Sequence, residues 1–462
     1  MYKDLREFAK KLREEREVID IEDELSPVYE VSGVMKYMDK YNGHALFFKR
    51  IKGYDFPIIG NLLGRRKRLA IALDIKEDEI YEEYLLRRDR PIKPVIIEKS
   101  PAKEIIIKDN INLQKALPVL THFERDKSPY FTSAVTIAKD PETGIRGMGI
   151  HRIQIRGDRE IGIALATPPL STFLKKAGDT GKPLEIAIAI GMDPITFFSS
   201  VIWAPEGIDK FDIAGGLAKE PIPLIKCESV DLEVPACAEF ILEGKIDSRS
   251  SRVREGPLGE STGYYFTFES PTGVIELISY RKDPIYHALM PFTTEESVLM
   301  DISWEVDNLK SIKKTFPQIV DMHLMVLGMI AIIQVDKSAE GEPQRIIQGI
   351  LSSYPFIKMV IVVDNDIDIY DAREVNWAVA TRTRPDKDII INSDLPGFML
   401  DPSSIGGEMA NDTHILTTKT SKLGIDATKP LDALSRFEKI DVPMNIRERV
   451  IGIIKKCESL SK

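Results

Sequence analysis

Short apolar runs, each cut off by turn-forming residues, follow one another through the middle of the sequence. Residues 133–138 (SAVTIA) read as a strand, Asp140-Pro141-Glu142-Thr143-Gly144 as a turn, 149–155 as a second strand and 160–166 as a third. Strands this short and this closely spaced predict an antiparallel barrel or sandwich. A helix over 171–177 follows, then the run 184–190 (LEIAIAI), apolar apart from Glu185, which reads as a buried strand. Residues 222–235, 273–280 and 284–288 supply further strand signals.

The flanks carry a different pattern. Leu5, Phe8, Ala9 and Leu12 recur at helical spacing and predict a helix over 4–16. A polar turn, a second helix over 27–39 and short strands at 44–48 and 57–62 come next. A linking helix over 295–309 precedes a strand at 326–335, a helix over 341–352, a strand at 358–364 and a helix over 373–381, the order of a small α/β domain. The expected class is α/β (α+β): an N-terminal α/β domain over 1–115, a central β-barrel domain over 116–295 and a C-terminal α/β domain over 296–462. Residues 447–461 are a helical candidate for subunit contact.

Charge narrows the partners. Among 462 residues the net charge is −9, the opposite of what a duplex-binding surface needs, so nucleic acid is not expected. No run of 18 apolar residues occurs and no apolar signal core follows Met1, so neither a membrane span nor an export signal is expected. Cys227, Cys237 and Cys457 form no CxxC pair and are odd in number, which argues against disulfides and zinc and fits a reducing cytoplasm. The basic cluster Arg65-Arg66-Lys67-Arg68 is open to two readings, a phosphate contact or a helix start. The acidic run Asp364-Asn365-Asp366-Ile367-Asp368 lacks the glycine and final glutamate of a calcium loop and reads as a polar strand end.

The stretch with the clearest chemical content is Arg254-Glu255-Gly256-Pro257-Leu258-Gly259-Glu260-Ser261-Thr262-Gly263-Tyr264-Tyr265. Two carboxylates stand five residues apart around Gly-Pro and Gly, which interrupt regular structure and predict a shaped loop. Such a pair can divide acid and base roles, whereas two solvated glutamates on a turn are the ordinary alternative.

Two further segments give this stretch its meaning. Gly149-Ile150-His151-Arg152-Ile153-Gln154-Ile155 places one arginine beside a histidine in a strand-like run, and Lys226-Cys227-Glu228-Ser229-Val230-Asp231-Leu232-Glu233-Val234-Pro235 is long and specific. Together with EGPLGESTGYY they resemble the UbiD family, decarboxylases that use prenylated FMN, and the resemblance runs from about Pro118 through most of the remaining chain. It implies that the central domain is a split β-barrel that binds the flavin. It also implies an α,β-unsaturated or aromatic carboxylic acid as substrate, a flavin prenyltransferase as cofactor supplier, and a homo-oligomer, dimer or hexamer, held by the C-terminal domain.

By residue, the resemblance makes Arg152 the carboxylate clamp, Glu260 the proton donor and Glu255 the partner that aims Arg152. A guanidinium suits a carboxylate through paired hydrogen bonds. A neutral-pH proton donor needs an apolar pocket. Ile150 and His151 would line the flavin, Lys358 would reach its phosphate, and Glu228 would ligate a divalent metal, usually manganese, with potassium nearby. The family's other two metal ligands, an asparagine and a histidine, are replaced here by Gly147 and by Pro168-Pro169. The isoleucine- and lysine-rich chain is closest in character to archaeal members, some of which act on trans-anhydromevalonate 5-phosphate. The reverse carboxylation or a carboxylase subunit in a larger complex, and a UbiD-fold protein that has lost metal and prenylated FMN, are the alternatives.

Overall fold

The computed structural model describes residues 2–404, 418–440, 442–443, 446 and 449–454. The helix expected over 447–461 lies largely outside these residues, as does Cys457; within it, 449–454 are helical.

The chain is α/β throughout. The first helix, Leu5–Glu14, is capped by Asp4, whose side chain accepts the Glu7 N–H at 2.9 Å, and it buries Leu5, Phe8, Ala9 and Leu12 as their spacing predicts. The expected polar turn after it is instead the strand Val18–Leu25, paired in parallel with Ala45–Ile51. Its alternating VIDIEDEL pattern is that of a sheet edge, with most of its charged residues at the surface. Ile58–Gly60 and, from far along the chain, Tyr286–Ala288 complete this sheet. Arg66–Leu73 resolves the basic cluster as a helix start. Arg65, Lys67 and Arg68 surround Glu17, Arg66 pairs with Glu305, and Arg68 is fully buried, so none of the four is held ready for a phosphate.

The central domain is built on a nine-stranded antiparallel sheet. The expected strand over 149–155 is two strands, Arg146–Ile150 and Ile153–Ile155. The first pairs with Val135–Lys139 at one end of the sheet, and the second with Glu160–Ile163 and Tyr130–Phe131 at the other. Between them, in order, run Thr272–Tyr280, Phe240–Ile246 and Leu184–Ile190. Residues 151 and 152 therefore link opposite ends of one sheet, which must curl into a half-barrel for two residues to span them. The 222–235 segment is a hairpin, Pro223–Lys226 with Glu233–Pro235, and places Glu228 in its turn. Cys227 and Cys237 are free.

The helix Thr294–Thr315 leads into a five-stranded sheet in the order Ile319–Met325, Ile330–Val335, Met359–Asp364, Thr418–Ala427, Ile389–Gly397. The strand expected to begin at residue 326 begins at Ile330, because Val326, Leu327 and Gly328 form a left-handed turn. Asp364 and Asp366 are held by Arg382 through bonds of 2.6–3.0 Å, so the acidic run is a strand end locked by an ion pair.

Asp301, buried on the linking helix, accepts the Gly328 N–H at 2.8 Å. Burial, with the charges of Glu305 and Glu296, pushes its pKa from 3.8 up to about 8. The folded protein thus retains a proton that the unfolded chain releases above 3.8, and this group's support for folding is lost as pH rises towards 8. Asp301→Asn keeps an acceptor for Gly328 and removes the titration. Thermal melts should show a flatter decline in stability over that range and a higher midpoint than the parent at pH 8; an unchanged slope would contradict the assignment.

Candidate active site

Arg152 occupies the two-residue link that closes the half-barrel. Facing it is the EGPLGE segment, which is for the most part a bulged strand rather than the expected shaped loop. Val253–Gly259 pairs with Tyr265–Ser270, and the register slips between Glu255 and Leu258, around Gly256-Pro257. Gly256 has φ +107°, and a Cβ there would lie 2.8 Å from the Phe266 carbonyl oxygen and 3.3 Å from Arg152 Nη2. Only glycine allows the guanidinium to rest against this backbone.

The guanidinium is held on three sides. Its Nε and Nη2 donate to Glu255 Oε2 at 2.9 and 2.6 Å, its Nη1 donates to Glu260 Oε1, and it lies over the Phe268 ring, 4.2 Å from the centroid. Glu255 is fully buried. Burial raises its carboxyl above 4.5, and the Arg152 charge opposes that rise. The Tyr130 phenol lies buried beside it, and burial together with the Glu255 charge holds its proton on. The turn that carries Glu260 is closed by bonds of 2.8 Å from the Glu260 N–H to Tyr264 and from the Gly263 N–H to Glu260.

Asp126 fixes the hairpin to the preceding chain. Its carboxylate accepts the N–H groups of His122, Phe123 and Gly259 at 3.0, 2.8 and 3.0 Å. Phe123 then lies so close to Gly259 that a Cβ there would meet its ring at 2.3 Å.

Arg152 and Glu260 line a cavity of about 270 Å³ with Phe268, Leu289, Leu299 and Glu296. Glu296 accepts from the Ser261 hydroxyl and from the Phe292 N–H, and burial pushes it up to about 7. A second cavity of about 780 Å³ adjoins the first. The two share Ile150, His151, Thr167, Val201, Trp304 and Phe356 as walls.

The structure therefore brings together Arg152, Glu255, Glu260, Ile150 and His151. His151 is buried, and burial, reinforced by the nearby Lys210 charge, lowers its pKa to about 4, which leaves it neutral. Two expected contacts do not join this set. Glu228 lines neither cavity; its Oε1 accepts from Lys103 Nζ at 2.8 Å, and its N–H donates to Glu243. Lys358, which the family resemblance placed at the flavin phosphate as it placed Glu228 at the metal, likewise lies outside and spends its ammonium on Asp401 and Ser403.

A divalent metal does not fit the residues present. Among the described residues no group of three or more His, Cys, Asp or Glu side chains could hold one. The space beside Gly147 is filled with hydrocarbon: a Cβ there would sit 2.6 Å from Pro169 Cγ and 2.7 Å from Phe173 Cε2. The flavin is a different case, since the combined cavity has the size and apolar walls of small-molecule and cofactor sites.

Phe268, Asp126, Tyr130, Glu296 and Lys210 were not legible as site residues. Phe268 carries a signal in retrospect, because it pairs across the hairpin with Glu255. The others are brought in by folds of the chain that no local pattern marks.

A buried guanidinium held between two carboxylates at the end of an apolar cavity is the arrangement of an enzyme site. The chain belongs to the UbiD family of carboxy-lyases: models of the 3-octaprenyl-4-hydroxybenzoate carboxy-lyase N-terminal, Rift-related and C-terminal domains match residues 9–87, 94–293 and 297–427. It is 33% identical over 444 residues to an anhydromevalonate phosphate decarboxylase of Methanothermobacter thermautotrophicus, covering 94% of this chain and 99% of the relative. The same enzyme of Methanosarcina mazei is also 33% identical, with 95% and 99% covered. Among solved structures, the UbiD-class enzyme HmfF from Pelotomaculum thermopropionicum in complex with FMN superposes with a TM-score of 0.89 at 36% identity, covering 95% of this chain and 97% of that one. An evolved dimeric form of HmfF in complex with prenylated FMN gives 0.85 at 35% identity, with 96% and 97% covered.

Proposed function

We propose that this decarboxylase acts on an α,β-unsaturated carboxylic acid, with trans-anhydromevalonate 5-phosphate as the candidate substrate and prenylated FMN as the cofactor. The observation that carries it is the Arg152 guanidinium, fixed by a buried Glu255 and opening with Glu260 into a cavity. The two archaeal relatives supply the substrate candidate. A homo-oligomer and a flavin prenyltransferase as cofactor supplier belong to the same proposal.

Loss of carbon dioxide leaves an electron pair on carbon, and prenylated FMN, when bound, supplies the electron sink that side chains lack. Ile150, His151, Trp304 and Phe356, which wall both cavities, would hold its ring system. No step is routed through manganese or potassium. The protein's own work is electrostatic. Arg152 receives the substrate carboxylate on Nη1, the position that Glu260 occupies in its absence. Three carboxylates around one guanidinium cannot all stay ionised, so the set takes up a proton as substrate binds. Glu260 holds that proton at the cavity wall and delivers it to the carbon from which carbon dioxide has left, which balances the reaction.

The test is production with and without a flavin prenyltransferase, anaerobic purification, and assay of carbon dioxide release from trans-anhydromevalonate 5-phosphate. Bound prenylated flavin with stoichiometric release is the expected result. Flavin-loaded protein that releases none from this acid would remove the substrate, and a chain that takes up no flavin under any condition would remove the cofactor reading and favour a subunit without catalysis.

A further inference from the structure

Lys210 is a cation in an unusual place. It opens the helix Lys210–Ala218, is 7% exposed, and lines the 780 Å³ cavity. Its ammonium donates to the Ser200 carbonyl at 2.8 Å, and among the described residues no carboxylate pairs with it. A buried ammonium normally has a counter-charge, because desolvating it alone is costly. The other cation of this cavity, Arg88, is already paired with Asp307. Lys210's charge is felt by His151, itself neutral, which lines both this cavity and the Arg152 cavity. Burial alone pulls the Lys210 pKa down to about 7, the behaviour of an ammonium without its anion.

We infer that Lys210 is the anion receptor of this cavity and takes a phosphate monoester directly, with no divalent metal between them. The inference rests on the proposed reading only in that the phosphate belongs to the flavin or to the substrate. It accounts jointly for the uncompensated ammonium and for the hydrocarbon packed beside Gly147. An ammonium is a strong point-charge partner for phosphate, and binding restores the charge that burial disfavours.

The test is equilibrium binding in EDTA, using two matched pairs: FMN against riboflavin, read by flavin fluorescence, and trans-anhydromevalonate 5-phosphate against its dephosphorylated form, read by calorimetry. The parent protein should prefer the phosphorylated member of at least one pair by tenfold or more, and the pair concerned identifies the source of the phosphate. Lys210→Met should abolish that preference while leaving binding of the phosphate-free member unchanged, and Lys210→Arg should keep part of it; thermal melts of both variants control for folding. The inference is overturned by a preference that survives in Lys210→Met, by one that appears only on adding Mn²⁺, or by no preference in either pair. A protein that shows the Lys210-dependent preference yet releases no carbon dioxide keeps this inference and loses the proposed reaction; one that turns over with Lys210→Met intact in binding does the reverse.

Discussion

Arg152→Ala is expected to reduce kcat/KM by on the order of 10³ or more, since one side chain both binds the substrate carboxylate and anchors the acids around it. It should also destabilise the fold in a pH-dependent way. Glu255 is fully buried and has Arg152 as its cation. Without that cation the carboxylate is uncompensated, a situation that costs about 3–5 kcal/mol where the charge is kept. Glu255 can escape by holding a proton. Its pKa, already raised above 4.5, rises further, and the variant loses stability as pH climbs through that range. Denaturant titrations at pH 5 and pH 8 should therefore show the larger deficit at pH 8. Arg152→Lys should recover part of the stability and little of the activity, because one ammonium cannot make the forked contact with Glu255 and still reach Glu260. Equal deficits at both pH values would show that Glu255 is not the group left exposed to the loss.

Glu260→Gln tests the proton donor. The amide oxygen can still accept from Arg152, so the clamp stays assembled, yet the side chain has no proton to give. The expected result is a kcat lower by about 10² to 10⁴ with KM little changed. Isothermal calorimetry in buffers of different ionisation enthalpy provides a second readout: substrate binding should take up a proton in the parent and not in the variant. A variant with near-parent kcat would transfer the role to another acid of the same cavity, of which Glu296, pushed up to about 7, is the first to examine.

The sequence carried the Arg–Glu–Glu set because EGPLGE and the run around Arg152 are distinctive in themselves, and the structure gathers all three. Helices with a one-sided apolar pattern, such as Leu5–Glu14, and strands that are apolar but for one residue, such as Leu184–Ile190 with its single Glu185, were legible for the same local reason. The edge strand Val18–Leu25 was not, because its exposed Asp20, Glu22, Asp23 and Glu24 make the run read as a polar turn. The break at His151-Arg152 was hidden by continuous strand-like composition on both sides; what splits it is pairing with opposite ends of the sheet. Glu228 shows the converse error. Its segment is distinctive, but the distinctive residues serve the hairpin turn, where Glu243 gathers the Glu228 and Ser229 N–H groups, and not the cavity. Lys210 had no signal at all, since a lysine at a helix start is ordinarily solvated, and only burial sets it apart.

Closing the sheet with a two-residue link has a consequence for how the protein matures. Arg152 meets Glu255 and Glu260 across separations of 103 and 108 residues, and its backbone is fixed only when strands near both ends of the sheet have found their places. Contacts of such long range are slow to form, since each must overcome the entropy of closing a large loop. No hairpin or fragment of this domain can carry the clamp by itself. Recovery of substrate binding after refolding should accordingly lag behind recovery of secondary structure, which makes the active site a clock for completion of the whole domain.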